Sequence, residues 1–189
     1  LTEGKPKLTH IIPINNFDEK ELIRIVLEVE SLSNHPLAKA IAKDIETKYK
    51  VEAQNKAVNV NAIQGKGIQA QYNGDSVFIG NVKLMEDKGI MVVEAITNKM
   101  KDLLDVGQTV MIVAYRSEII GLISVMDLPR ETAAKTLQQL KDIGIKHMVM
   151  LTGDHQNVGD AIAKQIGLTE AKGNLLPEDK VSEVKKLIN

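Results

Sequence analysis

The chain has 189 residues with 43% hydrophobic content, and its 24 basic residues against 25 acidic ones leave a net charge of -1; that is enough apolar material for one good core or two small ones. Even charge and 3% aromatic content exclude a nucleic-acid surface, and the absence of cysteine excludes disulfides, thiolate metal sites and cysteine nucleophiles while fitting a reducing compartment. No apolar run approaches the ~20 residues of a membrane span, and the opening Leu1-Thr2-Glu3-Gly4-Lys5, with neither Met nor a signal-peptide pattern, reads as the start of a fragment.

Helical spacing is clear over 19–30, where Leu22, Ile25, Val26 and Val29 share a face, and again after Pro36, where Leu37, Ala40, Ile41 and Ile45 do the same. Between these helices lies Ser33-Asn34-His35-Pro36-Leu37. Proline favours the first helical position and holds its predecessor extended, so His35 is predicted at the mouth of the second helix, with Glu30 five residues upstream. There the positive end of the helix dipole favours a neutral imidazole, able to pack on or bond to a purine, and Glu30 can accept from an exocyclic amine. Taken alone, His35 also fits a plain helix-start residue.

Strand-like runs follow at 57–63, 67–72 and 76–79, the last two joined by Asn73-Gly74, and together they predict an antiparallel meander. Gly65-Lys66-Gly67-Ile68-Gln69-Ala70 matches a dinucleotide-binding pattern, but that fingerprint needs a helix after it and here a hairpin follows. Two glycines between strands instead permit close backbone approach to a ligand, or form a tight turn or bulge. Gly80-Asn81 ends a strand with an amide that can bond a ribose or base, or simply make a turn. Helices are predicted at 82–88 and 92–104, then a strand pair at 109–115 and 119–126 turning around Arg116-Ser117-Glu118.

Beyond Asp127 the pattern changes to helix 130–142, strand 146–151, helix 158–166 and helix 177–188, the alternation of a parallel α/β sheet. Asp127-Leu128-Pro129-Arg130 marks the change and suits a hinge. Leu151-Thr152-Gly153-Asp154 lies between strand and helix, which puts Thr152 and Asp154 at a sheet edge where a hydroxyl and a carboxylate can meet a phosphate or a metal-bound water. Pro177-Glu178-Asp179-Lys180 opens the last helix with a lysine that can neutralise phosphoryl charge. His10, His147 and His155 have no metal-site spacing, and neither a P-loop nor a nucleophile elbow is present.

In this order, the motifs around His35-Pro36, Gly65-Lys66-Gly67, Gly80-Asn81, Asp127-Leu128-Pro129-Arg130, Thr152-Gly153-Asp154 and Pro177-Glu178-Asp179-Lys180 resemble, across essentially the whole chain, the cytoplasmic ATP-binding region of heavy-metal-transporting P-type ATPases. Asn34 stands where that family commonly has glutamate or glutamine, and His155 where asparagine is common. The resemblance implies an α/β chain: an α+β nucleotide-binding domain at 8–126, with an antiparallel sheet flanked by helices, joined to a fragment of a haloacid-dehalogenase-like parallel α/β phosphorylation domain at 1–7 and 127–189. It further implies that Glu30 and His35 contact adenine, that Gly65, Gly67 and Ile68 shape the base and ribose wall, and that Gly80-Asn81 closes the pocket. Thr152, Asp154 and Lys180 would serve the phosphoryl group, with Asp127 and Arg130 in the hinge.

The implied ligands are ATP or ADP with Mg2+, and the implied partners are the actuator and transmembrane domains of a membrane-embedded parent that exports a metal through an aspartyl-phosphate. No residue here distinguishes copper, zinc, cadmium or cobalt, although general likeness favours the divalent ions. The family's Asp-Lys-Thr-Gly-Thr and Gly-Asp-Gly-x-Asn-Asp motifs are absent from these 189 residues, so the chain is expected to start after the first, stop before the second, and bind nucleotide without turnover. The alternatives are a haloacid-dehalogenase-type phosphatase with a cap, which needs an Asp-x-Asp motif that is not found, and a non-catalytic nucleotide-sensing module.

Overall fold

The computed structural model describes residues 2–153 and 156–188, of which 2–5, 128, 131, 177, 187 and 188 are described by their backbone alone. The chain divides into two compact units, one of Pro6–Lys101 with Thr109–Met126, the other of Leu1–Lys5, Asp102–Gln108 and Asp127–Asn189. Among the described residues no helix is long and apolar enough to cross a membrane.

The larger unit draws on β1 (Thr2–Pro13), α1 (Glu19–Ser31), α2 (Pro36–Tyr49), β2 (Ala57–Ile63), β3 (Gly67–Tyr72), β4 (Asp75–Gly80), α3 (Val82–Asp87), α4 (Glu94–Asp105), β5 (Thr109–Tyr115) and β6 (Glu118–Pro129). Its six-stranded sheet has the order β1-β6-β5-β4-β3-β2, antiparallel from β2 through β6. The meander expected from sequence is there, and its Asn73-Gly74 turn, like the Arg116-Ser117 turn of the expected β5–β6 pair, puts two successive residues at positive φ. Sequence reasoning did not predict β1. It carries Pro6 and Pro13 and lies at the sheet edge, the place where a strand tolerates proline.

Asp18 caps α1 by accepting from the Glu21 amide at 2.8 Å. The predicted face of α1, Leu22, Ile25, Val26 and Val29, is fully buried and packs with Ile41 and Ile45 of α2 on Ile68, Ile79, Val113 and Ile123 of the sheet. β4 and β5 are buried almost without alternation, which requires cover on both faces; α3 packs against these two strands. Glu28, buried on α1, accepts from the amides of Gln54 and Lys56 at 2.6 and 2.8 Å, and so ties the segment leading into β2 to the helix.

The smaller unit holds α5 (Glu131–Asp142), β7 (Val149–Leu151), α6 (Gln156–Ile166), β8 (Glu170–Lys172) and α7 (Pro177–Ile188). β7 and β8 are parallel. β7 is shorter than the predicted 146–151, and β8, too short to display a period, was not predicted at all. Lys172 of β8 reaches Glu183 of α7 at 2.5 Å, and the Asp179 carboxylate accepts from the Leu176 amide at 3.0 Å to fasten the start of α7. The predicted hinge is the end of β6 followed by Arg130, which stands at the N-cap of α5.

Candidate functional site

A cleft of about 470 Å³ opens in the larger unit between the α1–α2 corner, the turn before β3, and β4–β5. Glu30, His35, Gly65, Gly67, Ile68, Gly80 and Asn81, the seven residues expected to hold a nucleotide, all line it. Ser33, Lys66 and the start of β5 at Thr109, Val110 and Met111, which sequence reasoning did not single out, line it as well. β5 is distant in sequence from the other walls, and only the sheet order brings it there.

His35 is the N-cap of α2, with extended backbone (φ -69, ψ 134) and Pro36 in the first helical turn. Its Nδ1 accepts from the Leu37 amide at 3.2 Å, so the neutral ring carries its proton on Nε2, which remains a donor. The Ser33 hydroxyl oxygen accepts from the His35 amide at 3.2 Å and fixes the approach to the cap. The exposed ring is therefore set in tautomer and place by its own backbone.

Glu30 is 4% exposed and lies at the wall of the cleft. No hydrogen bond or ion pair reaches its carboxyl among the described residues, and since no fully enclosed side-chain oxygen or nitrogen lacks a partner, its oxygens open to the cleft. Burial pushes its pKa up from an ordinary 4.5 to about 7. A buried, unpartnered acceptor among apolar walls matches a ligand that brings its own donor.

The two glycines of the turn before β3 do different work. Gly67 (φ +144) pairs with Gly80 across β3–β4, and a Cβ on it would stand 2.2 Å from the Ile79 carbonyl oxygen. A Cβ on Gly80 would stand 2.1 Å from the Lys66 carbonyl oxygen. Gly65 (φ +69) faces open space. The close approach expected toward a ligand is thus, at Gly67, an approach to the neighbouring strand. Asn81 is also committed: its Oδ1 accepts from the Leu84 amide, capping α3, and its Nδ2 donates to the Gly65 carbonyl, both at 3.0 Å. The side chain expected to bond a ribose or base instead ties two walls of the cleft together.

In the smaller unit Thr152 follows β7, its amide donating to the Lys172 carbonyl at 2.9 Å and its carbonyl accepting from Leu175 at 3.1 Å. Lys180 lies in the first turns of α7, where with Val181, Val184 and Lys185 it lines an open depression. Asp154 lies outside the described residues, so its expected place beside Thr152 is not described. Among the described residues no three His, Asp or Glu side chains converge as metal ligands.

A split into an antiparallel α+β unit and a parallel α/β unit, with a cleft in the former, defines a class. The whole chain, residues 1–189, matches the haloacid dehalogenase-like hydrolase model, and the protein belongs to that family. It is 35% identical over 189 residues to a probable cadmium-transporting ATPase of Staphylococcus aureus strain MRSA252, covering 99% of this chain and 26% of that protein. Among solved structures it is similar to a zinc-transporting PIB-type ATPase in the E2.Pi state, with TM-score 0.84 and 37% identity over 100% of this chain and 30% of the other. It is also similar to the catalytic domain of the CPx-ATPase CopB-B, studied for conformational change on nucleotide binding, with TM-score 0.69 and 25% identity over 100% of this chain and 64% of the other. The chain thus spans about a quarter of the length of the curated cadmium-transporting relative it matches.

Proposed function

We propose that this chain is the ATP-binding region of a heavy-metal P-type ATPase, that its larger unit holds the adenine nucleotide, and that the parent, a membrane protein with actuator and transmembrane domains, uses ATP and Mg2+ to export a metal such as zinc, cadmium, cobalt or copper. The observation that carries the reading is Glu30, a 4% exposed carboxyl without a partner among the described residues, in one cleft with His35 and the Gly65-Lys66-Gly67 turn. Similarity to cadmium- and zinc-transporting ATPases and to a nucleotide-responsive catalytic domain supports it.

In this reading Glu30 accepts from the exocyclic amine of adenine, His35 packs on the base and offers Nε2–H, and Ile68 supplies apolar wall. Gly65 leaves open the side where sugar and phosphate exit, while Gly80 and Asn81 hold that side in shape. In the smaller unit Thr152, Asp154 and Lys180 are assigned to the phosphoryl group, with Asp127 and Arg130 as the hinge. Because Asp-Lys-Thr-Gly-Thr is absent from these residues, the chain as given holds nucleotide without accepting its phosphate.

Titration with ATP followed by amide NMR tests the cleft, with shifts expected at Glu30, His35, Gly65 and Gly80. His35→Asn keeps an N-cap acceptor and removes the ring; it is expected to weaken ATP binding about tenfold. Unchanged affinity in this variant would remove His35 from the site.

A further inference from the structure

Lys66 occupies the middle of the Gly65-Lys66-Gly67 turn and, among the described residues, is the one Lys or Arg lining the cleft. Its carbonyl is fixed by the Asn81 amide at 2.9 Å, while its ammonium is drawn to the Asp87 carboxylate at the end of α3. Asp87 is held below the ordinary carboxylate range, chiefly by the bond from Lys66, with Lys83 and Lys88 adding to the effect. Lys88 itself bonds Gln69 at 2.8 Å and lies 5.2 Å from the Phe78 ring centre. Among the described residues the Lys66–Asp87 pair therefore stands at the rim of a cleft whose own carboxyl is Glu30.

The side chains of Lys66 and Asp87 are 30% and 42% exposed. An ion pair so open to water is weak and exchanges readily for a better partner, and a polyphosphate with its multiple negative charges is one. The nucleobase contacts assigned above are blind to how many phosphates follow the sugar.

We propose that Lys66 is the polyphosphate-recognition residue of the cleft, held in reserve by Asp87, and that a nucleoside di- or triphosphate draws its ammonium from that carboxylate onto a phosphate oxygen. This inference rests on the adenine-nucleotide reading and adds to it a basis for preferring ATP and ADP to adenosine. Asp87 sets the preference from outside the ligand by competing for the same cation.

The test is calorimetric titration of the 189-residue chain with ATP and with adenosine, without metal, in wild type, Lys66→Gln, Lys66→Arg and Asp87→Asn. Loss of one charge-assisted contact predicts that Lys66→Gln lowers the ratio of ATP to adenosine affinity about tenfold, and Lys66→Arg restores most of it. Removal of the competing carboxylate predicts a rise of about two- to threefold in Asp87→Asn. A ratio unchanged in Lys66→Gln, or lowered in Asp87→Asn, overturns the proposal. Wild type binding adenosine as tightly as ATP overturns it while sparing the adenine contacts, whereas wild type binding neither overturns the nucleotide reading and this inference together.

Discussion

At pH 8 the Glu30 carboxylate is an ionised group with almost no water and no partner among the described residues. Burial lifts its pKa to about 7 from 4.5, so between those values the folded chain keeps a proton that the unfolded chain releases. Stability therefore falls as pH rises through this window, by roughly 3 kcal/mol once pH is above 7. Glu30→Gln is expected to be more stable than wild type by that order at pH 8, with the gap closing by pH 4, as read by urea denaturation. ATP affinity moves the other way: a base amine binding the carboxylate favours the ionised form, so wild-type affinity rises from pH 6 to pH 8 more steeply than that of Glu30→Gln. The other ionisable groups lining the cleft, His35 and Lys66, are common to both proteins, so parallel profiles would refute a role for Glu30 in the base contact. Glu30 and His35 were legible in the sequence because a Pro-started helix fixes where its cap residue stands. Asn81 was legible only in part, since nothing local shows that the Gly65 carbonyl waits 3.0 Å from its amide.

Among the elements, the β3–β4 hairpin is where backbone chemistry decides the fit. Gly67 has both a positive φ and a strand carbonyl at the place a Cβ would take, while Gly65 has the φ alone. Gly67→Ala is expected to destabilise the chain by about 2–4 kcal/mol through strain and overlap with Ile79, and Gly65→Ala by about 1 kcal/mol. Equal losses in thermal denaturation would show that the Gly67–Gly80 approach does not matter. The hairpin was readable from Asn73-Gly74, and the long helices from their period. β1 and β8 were not: prolines mask the first, and the second has three residues, fewer than any alternation needs. Their strand character is conferred by partners remote in sequence, β6 and β7.

For the whole molecule, the proposed division of labour separates holding a nucleotide from reacting with it. Phosphoryl transfer relies on in-line positioning and charge neutralisation around a nucleophile, and the aspartate motif that would supply it is absent from these 189 residues. Incubation with γ-labelled ATP is expected to leave no acid-stable, hydroxylamine-labile phosphate on the chain even at concentrations that saturate the cleft. A labelled aspartyl-phosphate would contradict the assignment of roles to the two units.

The two hydrogen bonds of the Asn81 side chain, accepted from the Leu84 amide and donated to the Gly65 carbonyl, have a thermodynamic consequence. A glycine-flanked turn would ordinarily surrender conformational entropy when a ligand orders it, at a cost to affinity. Here a side chain of the protein itself ties the turn to α3, so that much of that ordering is met on folding, and a nucleotide bound as proposed would cost the turn less entropy.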